Sequence, residues 1–353
     1  MCISTSKNSD GVARELIRWC MGRRRRPNIV LLALALSIGG CASSDLTTAA
    51  PVGAEALGYA PTTYTEHVQA LKWVSVDGQN LAYLDLGEGP VVLLVHGVPT
   101  SSWAYRKVAA DLVMRGYRVI APDLLGYGAS DKTTKGEELD PEQQGARLLG
   151  LMDTLQVEDW IQVVHDAGGP WSFTMLPHAK DRIRGLVLLN TVLFEDGWNP
   201  PLKFKEGSGM GRMVLKALSG PHNDRWARVT VGKGTEDRAI RRDEGLVEGY
   251  RAPLSDGAAF SVQQFIFRFR AMCEGLPTYQ ESLVAFTGPI GVVWGMKDDI
   301  LDGKKQLRQL RALEGLDDLT IRELNKMNHF VQEEAPLEVS SMVVEVSKLI
   351  RSR

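Results

Sequence analysis

The chain has 353 residues, 44% of them hydrophobic, and its mean hydropathy is −0.12. These values are typical of a globular protein with a substantial core, built as one large domain with an insertion or as two modest domains. The formal net charge is −2, and residues 1–40 hold seven positive and two negative side chains, so the remainder carries −7. Such an acidic chain is not expected to bind nucleic acid.

Residues 1–40 have the features of an export signal. Four arginines at 23–26 precede an apolar run at 29–38, which is too short to span a bilayer as a helix. The sequence Leu-Ser-Ile-Gly-Gly-Cys that ends at Cys41 resembles a bacterial lipobox, and Ala42 resembles the signal for outer-membrane sorting. We therefore expect an exported bacterial lipoprotein, anchored through lipid on Cys41 at the periplasmic face of the outer membrane. The candidate start residues are Met1 and Met21.

Residues 41–66 are rich in small and polar residues and predict a flexible tether between the anchor and the domain. Two strands at 71–76 and 81–86 follow, and Asp77-Gly78 between them is a strong hairpin signal. Beyond them, continuous apolar runs predict buried strands and amphipathic runs predict helices. The strands are expected at 90–95, 117–121, 161–164, 185–190, 289–295 and 319–324, and the helices at 103–113, 141–155, 303–313 and 337–350. This alternation predicts an α/β fold with a doubly wound, mostly parallel sheet.

The alternation is interrupted between residues 191 and 285. This stretch has several short helical patterns, two loops rich in Gly and Pro, and a charged segment at 233–244 that is most simply a solvated surface. We predict a helical lid over 191–285, inserted into a core that is formed by 67–190 and 286–353.

The segment around Asp166 organises the rest of the sequence. A β-branched strand at 161–164 is followed by Gly168-Gly169-Pro170, a tight turn with a proline suited to the first helical position. A strand, a sharp turn and a helix lift one side chain above the edge of a sheet, as a nucleophile requires. Here that side chain is Asp166, which from this stretch alone could equally well cap the helix.

Two further candidates follow later strands. Asp298 comes after the strand at 289–295, and His329 comes after the strand at 319–324. Because ligands bind outside the carboxyl ends of parallel strands, these side chains and Asp166 can meet in space. The order nucleophile, acid, histidine is that of the α/β-hydrolase triad. The other candidates for the acid are Asp299, Glu195 and Asp196.

Six motifs are spread over residues 66–350. They are His96-Gly-Val-Pro-Thr, Ala121-Pro-Asp-Leu-Leu-Gly-Tyr-Gly-Ala-Ser-Asp, Val164-His-Asp-Ala-Gly-Gly, Tyr250-Arg-Ala-Pro, Gly295-Met-Lys-Asp and His329-Phe-Val-Gln-Glu. Together they resemble the haloalkane dehalogenases, within the α/β-hydrolase superfamily that includes the epoxide hydrolases. The resemblance implies the α/β-hydrolase fold, with Asp166 as nucleophile, His329 as general base and Asp298 as orienting acid. Asn190, where some dehalogenases carry their acid, fits the subgroup that uses the later aspartate. The backbone N–H groups of Val98 and Ala167 are expected to form the oxyanion hole.

An aspartate nucleophile limits the reaction on chemical grounds. Attack of a carboxylate on an ester carbonyl would form an anhydride, whereas displacement at a saturated carbon gives an alkyl ester that water can hydrolyse. We therefore expect a hydrolase without cofactor or metal that acts on a small apolar organic substrate and water. A haloalkane is the first expectation and an epoxide is the alternative. A lipid-anchored binding protein without catalytic activity is a third hypothesis.

The leaving-group donors bear on this choice. Dehalogenases usually donate an N–H to the halide from a Trp directly after the nucleophile or from an Asn after the His-Gly pair. Ala167 and Val98 occupy those positions here, and their side chains cannot donate. His165 is more typical of epoxide hydrolases, which use lid tyrosines to protonate the ring oxygen, and Val164 is more typical of dehalogenases. The candidate donors are Trp198, Trp226, Tyr250 and Tyr279, with Trp103 as a further tryptophan. For each tryptophan, packing is the alternative role.

Overall fold

The computed structural model describes residues 59–200, 209–220, 223–316 and 319–352. The predicted signal segment, Cys41 and most of the predicted tether lie outside these residues. Among the helices that are described, none combines the length and apolar character needed to cross a bilayer.

An eight-stranded sheet forms the centre of the domain. Its strands are β1 Lys72–Val76, β2 Gln79–Leu86, β3 Val91–Val95, β4 Arg118–Pro122, β5 Trp160–Asp166, β6 Ile183–Thr191, β7 Ile290–Gly295 and β8 Leu319–Leu324. They lie in the order β1-β2-β4-β3-β5-β6-β7-β8, and all neighbours from β4 to β8 in this order pair in parallel. β2 pairs antiparallel with both β1 and β4. The predicted doubly wound, mostly parallel sheet is confirmed.

The first two strands form the predicted hairpin. Asp77 and Gly78 join them with φ angles of 50° and 79°. Two successive residues with positive φ are typical of a type I′ turn, whose twist matches that of the flanking strands.

Helices cover both faces of the sheet. They are α1 Tyr64–Gln69, α2 Arg106–Met114, α3 Pro141–Thr154, α4 Gly168–Phe173, α5 Leu176–Ala179, α12 Gly303–Arg311, α13 Val331–Glu334 and α14 Pro336–Arg351. Successive side chains of β3 point to opposite faces and join two separate hydrophobic clusters. Leu93 and Val95 pack in the cluster that contains side chains of α3 and α4. Val92 and Leu94 pack in the cluster that contains side chains of α2 and α14.

A group of helices lies between β6 and β7, in the interval where the lid is predicted. The bounds are α6 Gly209–Ser219, α7 Asn223–Gly234, α8 Arg238–Arg241, α9 Glu244–Pro253, α10 Ala259–Phe267 and α11 Phe269–Val284, with a π-helical turn at Leu254–Ala258. We call α6 to α11 the insertion helices. A third hydrophobic cluster joins them to the rest of the domain, because it contains Val231 of α7, Trp103 and Phe330.

The structure corrects the end of the predicted tether. Tyr59 and Tyr64 are buried, and the Tyr59 hydroxyl makes a 2.8 Å hydrogen bond with Nδ1 of His67. Thr63 and Glu66 form a capping box that starts α1. The packed domain therefore includes residues 59–66, which the composition of this stretch had assigned to the tether.

Candidate active site

Asp166 is the last residue of β5, and its backbone is in the left-handed region with φ 52°. This conformation costs a residue with a side chain roughly 1–2 kcal/mol. Two hydrogen bonds to the Asp166 carbonyl hold it in place, from the Thr191 hydroxyl at 2.6 Å and from the Val192 N–H at 3.2 Å. The sharp turn predicted at this residue is therefore present, and it is tied to the end of the neighbouring strand β6.

The loop after β3 approaches Asp166 so closely that a side chain has no room there. A Cβ atom on Gly97 would lie 2.6 Å from Oδ1 of Asp166, and one on Gly168 would lie 2.7 Å from the His96 carbonyl oxygen. Helix α4 begins at Gly168, so Pro170 is its third residue and not the first as predicted. The position costs little, because N–H groups of the first turn have no partner within the helix.

Two backbone N–H groups donate to the Asp166 carboxylate. The N–H of Val98 donates to Oδ1 at 2.8 Å, and the N–H of Ala167 also bonds to this carboxylate. The other oxygen, Oδ2, lies 3.6 Å from Nε2 of His329, which is longer than a hydrogen bond. Both predicted oxyanion-hole residues thus donate to this carboxylate, Val98 to Oδ1, while Oδ2 faces the imidazole.

His329 and Asp298 meet as the sequence predicts. Nδ1–H of His329 donates to Oδ2 of Asp298 at 2.8 Å, so in the neutral imidazole the lone pair lies on Nε2, towards Asp166. Oδ1 of Asp298 accepts from the N–H groups of Ile300 at 2.8 Å and Leu301 at 3.0 Å, which orient the carboxylate.

The three alternative acids lie elsewhere. Asp299 and Glu195 are exposed, and Asp196 is paired with Lys305 at 2.7 Å.

Asn190 ties the ends of β6 and β7 together beneath Asp298. Its Oδ1 accepts from the Gly295 N–H at 2.7 Å, and its Nδ2 donates to the Gly295 carbonyl at 3.1 Å and to Oδ2 of Asp298 at 2.8 Å. An amide can give and accept all of these bonds at once, which a carboxylate cannot. The position where some relatives carry their acid is therefore used here to support Asp298.

The charges of the site shift two pKa values. Burial raises the pKa of Asp166 above its ordinary value, although His329 and the two backbone donors act in the opposite direction. Burial also disfavours a charged His329, but the carboxylates of Asp298 and Asp166 outweigh it and raise the pKa of the imidazole. The two shifts thus have different causes, burial for Asp166 and neighbouring negative charge for His329.

His165 packs against His329 and hydrogen-bonds to its backbone. Its Nε2–H donates to the His329 carbonyl at 3.0 Å, its Nδ1 accepts from the Gln332 amide at 3.4 Å, and the two histidine rings are 4.6 Å apart. Burial holds the pKa of His165 well below its ordinary value, which keeps the ring neutral in this role. This supporting role of His165 is not among the expectations from sequence, where the residue only distinguishes two enzyme families. The alternation of side chains along a strand could have indicated this role, because it places His165 on the face opposite Asp166.

Of the two tyrosines proposed as leaving-group donors, one has a hydrogen-bonded hydroxyl and the other does not. The Tyr279 hydroxyl donates to Oε1 of Glu142 at 3.1 Å. The Tyr250 hydroxyl is buried without a hydrogen-bond partner among the described residues, and this burial, with the nearby charge of Glu333, raises its pKa well above the ordinary value. Neither hydroxyl has a contact with the triad in the part of the chain that is described.

The tryptophan candidates differ in their surroundings. Trp198 forms an isolated bridge with Leu301, next to the loop that carries Asp298, and its ring lies 4.4 Å from that of Phe269. Trp226 is half-buried against the main hydrophobic cluster, and Trp103 is buried in the third cluster with its indole N–H unpaired. Among these tryptophans, Trp198 is the one paired with the loop of Asp298, because its bridge partner Leu301 follows Asp298 by three residues.

The described residues hold no cluster of His, Cys, Asp and Glu arranged for a metal ion.

Comparison with known proteins identifies the family. Residues 90–336 match the protein family that is described as having the α/β hydrolase fold. The chain belongs to this family. It is 29% identical over 287 residues to haloalkane dehalogenase 2 of Mycobacterium bovis, covering 78% of this chain and 93% of that protein. It is 26% identical over 304 residues to an epoxide hydrolase of Caballeronia sordidicola, covering 77% and 91%.

A thermophilic esterase from Thermogutta terrifontis has a similar structure, with a TM-score of 0.63 and 21% identity over 79% of this chain and 98% of the esterase chain. At this identity the likeness concerns the fold alone. As an α/β hydrolase with dehalogenase and epoxide hydrolase relatives, the chain is an enzyme and not the non-catalytic binding protein considered above.

The arrangement of carboxylates predicts how the pKa of His329 responds to substitution. Asp298→Asn should lower this pKa strongly, because it removes both a charge and a charged hydrogen-bond partner. Asp166→Asn should lower it less, because it removes only the charge that is 3.6 Å away. The pKa is measured by NMR titration of the imidazole.

Asp299→Asn is the matched control, since Asp299 adjoins Asp298 in the chain but is exposed. It should leave the titration of His329 unchanged. If Asp299→Asn lowered the pKa more than Asp298→Asn does, Asp299 would be the acid.

Proposed function

We propose that this enzyme hydrolyses small apolar electrophiles through a covalent alkyl ester on Asp166, with haloalkanes as the first substrate class. One observation carries the proposal. At the turn after β5 stands a carboxylate whose Oδ1 is held by the Val98 N–H, while its Oδ2 faces Nε2 of His329 at 3.6 Å, beyond hydrogen-bond distance. A carboxylate held in this way is suited to displacement at a saturated carbon.

In the first step, Oδ2 of Asp166 attacks the carbon that bears the halogen. A carbon–oxygen bond forms as the carbon–halogen bond breaks, and the halide leaves with the bonding electron pair. The nucleophile needs no base, because the carboxylate is already the reactive form. His329 therefore has no proton to take in this step.

In the second step, His329 takes a proton from water, and the resulting hydroxide attacks Cγ of the ester. The negative charge that develops on Oδ1 is stabilised by the N–H groups of Val98 and Ala167. The tetrahedral intermediate collapses by breaking the Cγ–Oδ2 bond, and Oδ2 takes the proton from His329 and leaves in the alcohol. The carboxylic acid left on Asp166, which now contains the oxygen from water, releases its proton to solvent and restores the carboxylate. The sum is substrate and water giving alcohol, halide and a proton.

Formation of the ester also prepares the base. The Asp166 charge is one of the causes that raise the pKa of His329, and the ester is uncharged. Alkylation therefore lowers the pKa of His329 and favours the neutral form that can accept a proton from water.

Dehalogenation is placed first because the similarity to the Mycobacterium bovis dehalogenase extends over 93% of that protein. Epoxide opening is the alternative, supported by the relative from Caballeronia sordidicola. The same two steps apply to an epoxide, except that the ring alkoxide stays attached and needs a proton. The choice thus depends on the group that stabilises the departing atom.

The covalent mechanism predicts an adduct that can be trapped. In His329→Gln, attack by Asp166 should proceed while ester hydrolysis fails, so the alkyl enzyme should accumulate. Intact-protein mass spectrometry after incubation with 1-bromobutane or styrene oxide, followed by peptide mapping, should show the corresponding mass increment on Asp166.

The double variant Asp166→Asn/His329→Gln is the control and should show no increment. Labelling with 1-bromobutane and not with styrene oxide would establish the dehalogenase class, and the reverse would establish the epoxide hydrolase class. Labelling at another residue, or none with either probe, would contradict the covalent mechanism.

The surroundings of the two tyrosines predict that neither is the acid for ring opening. Tyr250→Phe and Tyr279→Phe should each retain turnover of 1-bromobutane and styrene oxide within about twofold, because neither hydroxyl has a contact with the triad. Rates are measured by halide release and by diol formation. A sharp loss of epoxide opening alone, with halide release preserved, would instead assign that tyrosine as the acid.

We also propose that the protein is exported and anchored to the periplasmic face of the outer membrane through lipid on Cys41. The lipobox-like sequence before Cys41 supports this proposal. Cys41→Ser should move the protein from the membrane fraction to the periplasmic fraction or leave it unprocessed, as shown by fractionation and by mass. Wild-type protein without lipid would contradict the anchor.

A further inference from the structure

The loop that carries His329 is hydrogen-bonded to a short segment of the insertion. We call residues 328–334 the base loop and residues 234–237, which join α7 to α8, the clamp segment. The N–H of Phe330 donates to the Gly234 carbonyl at 2.8 Å. Nδ2 of Asn328 donates to Oε1 of Glu236 at 2.8 Å. The residues on both sides of His329 are therefore bonded to the insertion.

Glu334, the last residue of the base loop, accepts hydrogen bonds from both the base loop and the clamp segment. Its Oε2 accepts from the N–H of Asn328 at 2.6 Å, within the loop. Its Oε1 accepts from the N–H groups of Glu236 at 2.5 Å and Asp237 at 3.0 Å, across to the clamp segment. One carboxylate thus joins two segments that are almost a hundred residues apart in the chain.

The two segments are in close contact. A Cβ atom on Gly234 would lie 2.2 Å from two ring carbons of Phe330, so the backbone of the clamp segment rests directly on the ring. Asn328 and Phe330 are 5% and 2% exposed. Arg241 lies 3.7 Å from the Glu236 carboxylate and also donates to the Thr235 carbonyl, which offsets the charge of the two glutamates.

The base loop is fixed on its opposite side by the sheet. His165 holds the His329 carbonyl at 3.0 Å, and the Asn328 side chain accepts from the His329 N–H at 2.8 Å. His329 itself thus has its backbone held by β5 on one side and, through Asn328, by the clamp segment on the other. Its Nε2 lies 3.6 Å from Oδ2 of Asp166, and misplacement of a catalytic group by about 1 Å can cost 100-fold in rate.

We propose that Glu334 is a positioning residue that couples the insertion helices to His329, so that the placement of the insertion controls the water-activating step. This inference rests on the proposed function, since His329 acts only in ester hydrolysis there. Loss of the coupling should therefore slow hydrolysis of the alkyl enzyme and spare its formation. A general loss of structure would not separate the two steps in this way.

The test compares Glu334→Gln and Glu334→Asp in the full chain. The amide loses an accepting oxygen, and the shorter carboxylate keeps the charge but cannot reach both Asn328 and residues 236–237. With 1-bromobutane or styrene oxide as probe, rapid-quench mass spectrometry should show unchanged formation of the alkyl enzyme and roughly 10-fold slower hydrolysis in both variants. If Glu334→Asp behaved as wild type while Glu334→Gln was slow, charge and not positioning would be the cause.

Two further variants separate local from general effects. Glu236→Ala removes the acceptor of the Asn328 amide and the carboxylate near Arg241 but keeps the backbone N–H that donates to Glu334, so it should slow hydrolysis less than either Glu334 variant does. Glu244→Gln is the matched control, because its carboxylate also binds an insertion residue, Arg228 at 2.6 Å, and is exposed. It should leave both steps unchanged, and equal slowing in Glu244→Gln and Glu334→Gln would overturn the proposal.

A measurement without substrate keeps this test independent of the proposed function. In Glu334→Asp, the pKa of His329 should move towards its ordinary value, because the imidazole is no longer fixed beside Asp298 and Asp166. NMR titration of the substrate-free proteins, with melting temperatures as a check on folding, gives this value. An unchanged His329 pKa overturns the coupling even if the covalent mechanism holds. Absence of any alkyl enzyme in wild type and in His329→Gln overturns the covalent mechanism, while the titration still decides the coupling.

Discussion

The left-handed backbone at Asp166, with φ 52°, turns β5 into α4 within a few residues and raises one carboxylate above the sheet. The conformation is unfavourable for an aspartate by itself, so the surrounding structure has to maintain it. Hydrogen bonds from Thr191 and Val192 fix its carbonyl, and the absence of a side chain at Gly97 lets the loop after β3 come close. The oxyanion-hole contact depends on this approach.

The electrostatics of the site follow from placing two carboxylates around one imidazole. Asp298 bonds to Nδ1 of His329, and Asp166 faces Nε2, so both favour a protonated ring. A reaction that neutralises Asp166 removes one of the two charges that raise the pKa of His329. The imidazole then loses its proton more easily, in the step that needs a neutral base. A serine at the same turn is uncharged before and after acylation and could not shift the base in this way, which is a physical difference between the two kinds of nucleophile.

The positions of the triad could be predicted because each is set by local sequence. A strand signal, a turn and a polar residue at the strand end identify Asp166, Asp298 and His329, and parallel pairing brings strand ends to one edge. Residues 59–66 were assigned to a tether because their composition has few large apolar groups. Tyr59 and Tyr64 nevertheless find buried partners there, and such burial depends on distant residues that composition does not reveal.

The sequence by itself therefore determined the fold class and the residue types at the strand ends, since hydrophobic periodicity and residue identity are local properties. Only the tertiary structure decided that Asn190 supports Asp298, that Tyr279 is occupied by Glu142, and that Glu334 reaches across to Glu236. These contacts join segments tens to hundreds of residues apart. Their distances are fixed by how helices pack on the sheet, and no single stretch of the chain encodes that.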